Sequence, residues 1–224
     1  MSLNTERVEI DGVIGRLFDN LSLTITSQTG TNGAHLRQKM GDLRANYAFY
    51  LADGIFPQKL LEFFTLTREN GASLASIATV RDQLFNERPV GVVSIAIVQT
   101  AIVFCLSAES RIITETEFVS RDDVNHMIKT MKIAFDKARD GAADMSDSSS
   151  YQTLTFLAGA LTNHLSNTAR PLPRMVTFNL FISLPALALS NRIYHTADRW
   201  EEVVNENHIV HPAFCIREIR GLSA

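Results

Sequence analysis

The hydrophobic pattern of this chain changes period once, and the change decides what each part can fold into. Up to about residue 170, apolar side chains recur every three or four positions, which is the period of a helix buried along one face. Beyond the linker 170–173, whose two prolines cannot continue a helix, residues 175–180 alternate between apolar and polar as a strand does. The sequence therefore predicts a mainly α fold, with an antiparallel helical bundle over residues 1–170 and a small βααβ module over residues 171–224.

One helix of the predicted bundle has both ends marked by single residues. Ser120 can cap free backbone amides, and Asp122 and Asp123 complement the positive end of the helix dipole. Gly141 is the type of residue that ends a helix, and the polar segment 144–150 follows it as a predicted loop. We therefore expect a helix that starts after Ser120 and stops at Gly141.

The most apolar stretch, Val90 to Ala108, is nearly long enough to cross a lipid bilayer. Gln99 lies at its centre, and no cluster of lysine or arginine anchors either end. A central buried helix is therefore favoured over a membrane span, and no membrane contact is expected.

Two short helices and a second strand are predicted to follow the first strand of the module. Pro185 suits the start of a helix over residues 184–194, and a second helix over residues 197–205 carries Trp200. Residues 214–222 are predicted to form the closing strand.

The residues offer no convergent set for catalysis, so the chain is expected neither to be an enzyme nor to hold a cofactor. Ser148–Ser150 lack the G-x-S-x-G pattern of a nucleophile turn, and Cys105 lies in an apolar run that leaves a thiol inert. The acidic residues are numerous, and their expected roles are helix capping and solvation.

The nearest approach to a metal-ligand pattern is His208-x-x-His211, with His195 nearby in sequence. Pro212 works against a regular helix at this point, and no convincing third ligand accompanies the pair. No metal site is expected, and a loop hydrogen-bonding role is predicted for these histidines.

The net charge of −3 argues against a free-standing domain that coats DNA. The module is nevertheless richer in arginine than the bundle, with glutamates interleaved. A mixed-sign surface or an interface with salt bridges is the favoured interpretation, and DNA contact is the alternative. The arginines concerned are Arg170, Arg174, Arg192, Arg199, Arg217 and Arg220.

The spacing within the module resembles that of a lysin motif, a two-stranded sheet backed by two short helices. Trp200 and Ile193 can pack between helices and sheet, while Asn207 can bond loop backbone groups as the chain turns toward the last strand. The residues that carry the resemblance are Ile193-Tyr194, Arg199-Trp200, Asn207-His208-Ile209 and Pro212.

Two loops depart from the pattern of a sugar-binding lysin motif. Ser183-Leu184-Pro185 replaces the usual Gly-Asp before the first helix, and Cys215-Ile216-Arg217-Glu218 replaces the usual Pro-Gly before the last strand. Because the sugar groove is built from those two loops, the departures favour docking on proteins over glycan binding.

Taken as a whole, the chain from residue 170 onward is similar to the C-terminal end of the DNA circularisation (DNA circulation) protein of Mu-like phages and prophages. The similarity lies in residues 170–173, 187–194 and 205–214. It implies a non-enzymatic component of a phage tail or baseplate, of which this chain is the C-terminal portion. The implied partners are other tail or baseplate proteins, and the implied location is the virion tail or the host bacterial cytoplasm.

The resemblance also implies a homo-oligomer in the assembled particle, because such machines are symmetric. The family name implies a part in joining or protecting the ends of injected DNA. Two other functions stay open: a peptidoglycan-binding module on a helical stalk, and a DNA-end-binding protein that acts after injection. The interface or module-defining candidates are Tyr194, Arg199, Trp200, Asn207 and His211.

Overall fold

A computed structural model of the chain describes residues 3–25 and 31–223, and the predicted mainly α fold with a small two-stranded sheet is confirmed. Seven long helices precede the sheet in the described ranges, and two short helices lie between its strands. The elements are α1 Leu3–Ile25, α2 Thr31–Ala52, α3 Phe56–Glu69, α4 Leu74–Leu84, α5 Val92–Glu115, α6 Arg121–Asp144, α7 Ser148–Ala169, β1 Met175–Asn179, α8 Ala186–Tyr194, α9 Trp200–Glu206 and β2 Glu218–Leu222.

The chain packs into two compact units that interleave along the sequence. The first unit comprises Met1–Thr116 and Met131–Leu161, and the second comprises Glu117–Thr130 and Thr162–Ala224. The second unit thus contains the start of α6 and the end of α7 together with the βααβ module, whereas the predicted division falls after residue 170.

Helix α5 is the apolar centre of the first unit and packs against α1, α3 and α4. Among the described residues it is the one helix whose length and hydropathy would fit a membrane span, and half of its most apolar window is buried inside the protein. Its inward side chains include Ala101, Ile102, Cys105 and Leu106. A helix covered in this way by its neighbours is what a bundle core requires.

One ion pair lies inside this apolar core. Arg81 of α4 donates to Glu109 of α5, and Glu109 is only 1% exposed. Arg81 also binds the exposed carboxylate of Asp82 at 3.0 Å, whereas Glu109 Oε1 has no hydrogen-bond partner among the described residues. Burial raises the pKa of Glu109 from 4.5 to about 7, although the positive charge of Arg81 acts in the opposite direction.

The start of α6 agrees with the prediction, and its end does not. Ser120 Oγ accepts from Asp123 N at 3.1 Å while Ser120 N donates back to Asp123 Oδ2 at 3.2 Å, which is a reciprocal cap. The expectation that Gly141 ends the helix is wrong, because α6 continues to Asp144. A Cβ at Gly141 would overlap the side-chain amide of Gln99, so this glycine allows close approach of a side chain from α5.

The module folds around one small core beneath its sheet. Strands β1 and β2 pair antiparallel, from Met175 opposite Leu222 to Asn179 opposite Glu218. Strand β2 starts at Glu218, four residues later than predicted. The segment before it is held instead by the bond from Cys215 N to Leu184 O at 3.3 Å. The fully buried core residues are Ala186, Leu189, Val203, Cys215 and Ile219.

The proline linker is tied to the start of α6 rather than left free. Arg121 N donates to Pro173 O at 2.9 Å, and the guanidinium of Arg121 binds the carbonyl oxygens of Ala169 and Arg170 at 3.1 and 2.8 Å. Asp122 Oδ2 accepts from Met175 N at 2.7 Å. The first turn of α6 therefore fixes both the linker and the beginning of β1.

We expect the buried Glu109 to make stability fall as the pH rises. The folded chain holds this proton more tightly than the unfolded chain, so the contribution is fully present below about pH 4.5 and is lost as the pH rises through about 7. The loss is on the order of 3 kcal/mol, at 1.36 kcal/mol per pH unit. Urea unfolding of the wild type and of Glu109→Gln across this window measures it.

Glu109→Gln should flatten the pH dependence, because the side chain no longer titrates. Glu115→Gln is the matched control, since it changes a carboxylate on the same helix whose side chain is 65% exposed. Equal slopes in the wild type and Glu109→Gln would contradict the assignment of the titration to this residue.

Candidate interaction surface of the βααβ module

A compact polar cluster joins the two short helices of the module. Arg199 binds both carboxylate oxygens of Glu202, through Nε at 2.8 Å and Nη2 at 2.9 Å, and its guanidinium lies 3.8 Å from the centre of the Tyr194 ring. The Tyr194 hydroxyl donates to Glu202 Oε1 at 2.9 Å. Burial, and then the bond to Glu202, raise the pKa of Tyr194. Two of the predicted candidates, Tyr194 and Arg199, are therefore joined through Glu202, which sequence reasoning did not single out.

Two hydrogen bonds just beyond the ends of the strands show which backbone N–H and C=O groups point between the strands and which point outward. Leu180 N donates to Arg217 O and Ser223 N donates to Arg174 O, both at 2.7 Å. In an antiparallel pair, bonded and non-bonded positions alternate. Arg220 and Leu222 therefore direct their N–H and C=O groups away from β1, toward the outer edge of β2.

The side chains of Asn207 and Tyr194 cover part of that outer edge. Asn207 Oδ1 accepts from Arg220 N at 2.7 Å, and Asn207 Nδ2 donates to Arg220 O at 2.7 Å and to Val203 O at 2.9 Å. The Tyr194 hydroxyl accepts from Leu222 N at 2.9 Å. Asn207 thus takes the place of a neighbouring strand, which is a more specific role than the loop bonding predicted for it.

Trp200 and His211 border a shallow groove of about 440 Å³ between the start of α8 and the loop before β2. Trp200 is half-buried against the module core, as predicted, while His211 is exposed. His211 Nδ1 accepts from Ala213 N at 3.3 Å, and Ala186 N donates to Pro212 O at 2.7 Å to hold the two walls together. The groove is lined by Pro185, Ala186, Leu187, Trp200, His211, Pro212 and Ala213.

Large apolar side chains protrude from the two loops beside this groove. Phe181 is 95% exposed, Val210 is 100% exposed and Phe214 is 74% exposed, and Ile182 and Ile216 are also exposed. Sequence analysis did not single out these residues. The signal was present, because Phe181 and Ile182 follow Leu180 without the polar residue that the strand's alternation would place between them.

No group of three or more His, Cys, Asp or Glu side chains within residues 3–25 and 31–223 is arranged to hold a metal ion. His208 and His211 are both exposed in the loop that follows α9. Cys105 is buried, and burial followed by the nearby Glu109 raises its pKa well above the usual range for a thiol. Such a thiol stays protonated at neutral pH and is a poor nucleophile.

The arginines of the module divide into paired and unpaired groups. Arg199 pairs with Glu202, and Arg220 lies 3.7 Å from Glu206. In the described part of the chain, the others have no carboxylate within ion-pair distance; these are Arg170, Arg174, Arg192 and Arg217. The surface is thus of mixed sign, as predicted, with four free guanidinium groups.

No family model and no curated protein sequence match this chain. The resemblance to the DNA circularisation family stays a prediction drawn from the residues of the module.

We expect Asn207→Ala to lower the free energy of unfolding by about 1–2 kcal/mol, since it removes three hydrogen bonds at a partly exposed site. Asn207→Asp should cost more at neutral pH, because it places a carboxylate against the carbonyl oxygens of Val203 and Arg220. Urea unfolding measures both variants. Asn205→Ala, at an exposed position of α9 two residues earlier, is the control. An effect of Asn205→Ala as large as that of Asn207→Ala would refute the role of Asn207 at the edge of the sheet.

Proposed function

We propose that this chain is a non-enzymatic structural component of a phage or prophage tail or baseplate, from the DNA circularisation family of Mu-like phages. It works through protein–protein contacts made by the βααβ module, and it forms a homo-oligomer in the assembled particle. It resides in the virion tail or, before assembly, in the cytoplasm of the host bacterium.

The observation that carries this proposal is the exposed apolar surface of the loops 180–184 and 210–216. Exposed Phe181, Val210 and Phe214 lie on loops that are hydrogen-bonded to each other through Leu184 and Cys215. Solvent-exposed apolar clusters on a rigid scaffold mark contact sites for other proteins. Tyr194, Arg199 and Asn207 hold that scaffold through internal bonds, so their proposed contribution to docking is indirect.

One observation favours the peptidoglycan alternative. Trp200 borders a groove between the loop before α8 and the loop before β2, and the equivalent loops form the sugar groove of a lysin motif. The composition of the groove works against it. Apart from Trp200 and His211, the lining side chains are proline, alanine and leucine. Two of the lining backbone groups, Ala186 N and Pro212 O, are already bonded to each other. Sugar hydroxyls need hydrogen-bond partners, and this groove offers few.

The DNA-end-binding alternative is favoured by the four unpaired arginines of the module. Contacts of arginine with phosphate give an affinity that falls steeply with salt. A mobility shift with linear duplex at low salt, lost as salt rises, would support this alternative, and no shift at low salt would remove it.

We expect the double variant Phe181→Ser with Phe214→Ser to lose capture of tail proteins by at least about tenfold, because large apolar anchors carry most interface energy. The measurement is a pull-down with this chain as bait and purified tape-measure, hub and spike proteins of a Mu-like phage as prey. Phe156→Ser is the matched control, since Phe156 is 79% exposed but lies on α7 in the first unit.

Equal capture by the wild type and the double variant would refute the docking role of these loops. Firm, saturable binding of the wild type to purified peptidoglycan would overturn the assembly function in favour of cell-wall binding. His211→Ala tests that outcome further, because it changes the groove and leaves Phe181 and Phe214 in place.

A further inference from the structure

The two edges of the small sheet are treated differently. On the outer edge of β2, Asn207 and Tyr194 engage the N–H and C=O of Arg220 and the N–H of Leu222. On β1, hydrogen-bonded and non-bonded positions alternate in the same way, so the N–H and C=O groups of Met175, Thr177 and Asn179 point away from β2. The N–H of Met175 is taken by Asp122, and the rest of that edge is open.

Among the described residues, five backbone groups on the open edge have no partner: the C=O of Met175 and the N–H and C=O of both Thr177 and Asn179. Within the described part of the chain, no hydrogen bond reaches the N–H or C=O of Thr177 or Asn179, and both residues are exposed. Natural sheets usually protect such an edge with charges, proline or a bulge. Residues 175–182 contain no charged residue and no proline. The edge therefore has the hydrogen-bonding capacity to accept another strand.

We infer that the open edge of β1 pairs antiparallel with β1 of a second copy of this chain, about a two-fold axis at Phe178. In this register Thr177 of each copy lies opposite Asn179 of the other. Each such pair exchanges two N–H···O=C bonds, so the two pairs use the N–H and C=O of Thr177 and of Asn179 in each copy. Met175 N stays on Asp122, and no further group is required.

The uncharged sequence suits a two-fold axis. In this register residues 175–181 of one copy lie opposite residues 181–175 of the other, and none of them is charged, so no like charges face each other across the pair. In the inferred register Val176 lies opposite Leu180 of the other copy, and Phe178 lies opposite Phe178. Apolar residues thus face apolar residues along the inner side of the sheet.

The pairing is closed by its two-fold symmetry. It creates a four-stranded sheet in the order β2, β1, β1, β2, whose outer edges are partly covered by Asn207 and Tyr194. A two-fold contact with outer edges protected in this way favours a dimer over a fibre. The inference supplies a contact for the homo-oligomer and rests on the proposed function for its biological setting, although its test needs no phage protein.

Sedimentation velocity of the whole chain tests the pairing. Because a contact much smaller than ~1,200 Å² is weak, loading concentrations should run from about 10 µM to about 500 µM. We expect the wild type to shift from monomer to dimer over this range. Thr177→Pro should raise the dimer Kd at least about tenfold, because it removes an N–H that points away from β2 and leaves the internal ladder intact. Thr177→Val keeps that N–H and should dimerise like the wild type.

Charged substitutions at the paired positions test the register. This test does not require that the fold tolerate a proline in β1. Thr177→Lys with Asn179→Lys should weaken the dimer, since it places like charges opposite each other twice. Thr177→Lys with Asn179→Glu should restore it, since it places opposite charges there. Circular dichroism confirms that each variant is folded.

A wild type that stays monomeric at the highest concentration overturns the inference, as does a Thr177→Pro variant that dimerises normally. Dimerisation that is lost in Phe181→Ser with Phe214→Ser but kept in Thr177→Pro would assign self-association to the apolar loops, and would also overturn it. Failure of the pairing leaves the proposed function standing if the wild type still captures tail proteins.

Discussion

A two-stranded sheet in water is only marginally stable, and the whole second unit is organised around that constraint. Helices α8 and α9 cover the inner face of the sheet with Leu189, Val203 and their neighbours. Polar side chains then bond backbone groups of β2 that a neighbouring strand would bond in a larger sheet. Asn207 bonds both backbone groups of Arg220, and Tyr194 bonds Leu222 while Glu202 and Arg199 hold the tyrosine in place. The residues that resemble a lysin motif are thus mostly those that support the sheet.

The apolar surface on which the proposed function depends lies on the loops around this sheet. Tyr194, Arg199 and Asn207 are engaged inside the module, whereas the exposed side chains of the loops 180–184 and 210–216 are mainly aliphatic and aromatic. The loops are fixed by the bonds between Leu184 and Cys215 and between Ala186 and Pro212. A preorganised apolar surface loses little conformational freedom on binding. This supports a docking role more strongly than a catalytic or sugar-binding one.

Local patterns in the sequence predicted the helices and the first strand well. They could not predict contacts between residues that are far apart in the chain. The helical period, the alternation in β1 and the cap at Ser120 each depend on neighbours within a few residues, and all three are found. The end of α6 was mispredicted because Gly141 makes room for the side chain of Gln99. Gln99 lies 42 positions away in the chain, so a local sequence pattern does not show this contact. The Arg81–Glu109 pair was missed for the same reason, since each residue alone suggests an exposed helix surface. At the site, Asn207 was found from its place in a motif, while Phe181 and Phe214 had no motif to mark them.

The bonds from Arg121 and Asp122 to the segment 169–175 also determine how the second unit bears mechanical load. Tension applied near the C-terminal strand reaches Met175 through the sheet, and the bond to Asp122 shares it between the backbone of the linker and the first turn of α6. The resistance of the sheet to shear therefore depends on a helix more than fifty positions upstream. Cutting the chain after residue 170 would detach this anchor, so the smallest fragment that keeps the native resistance to pulling includes α6.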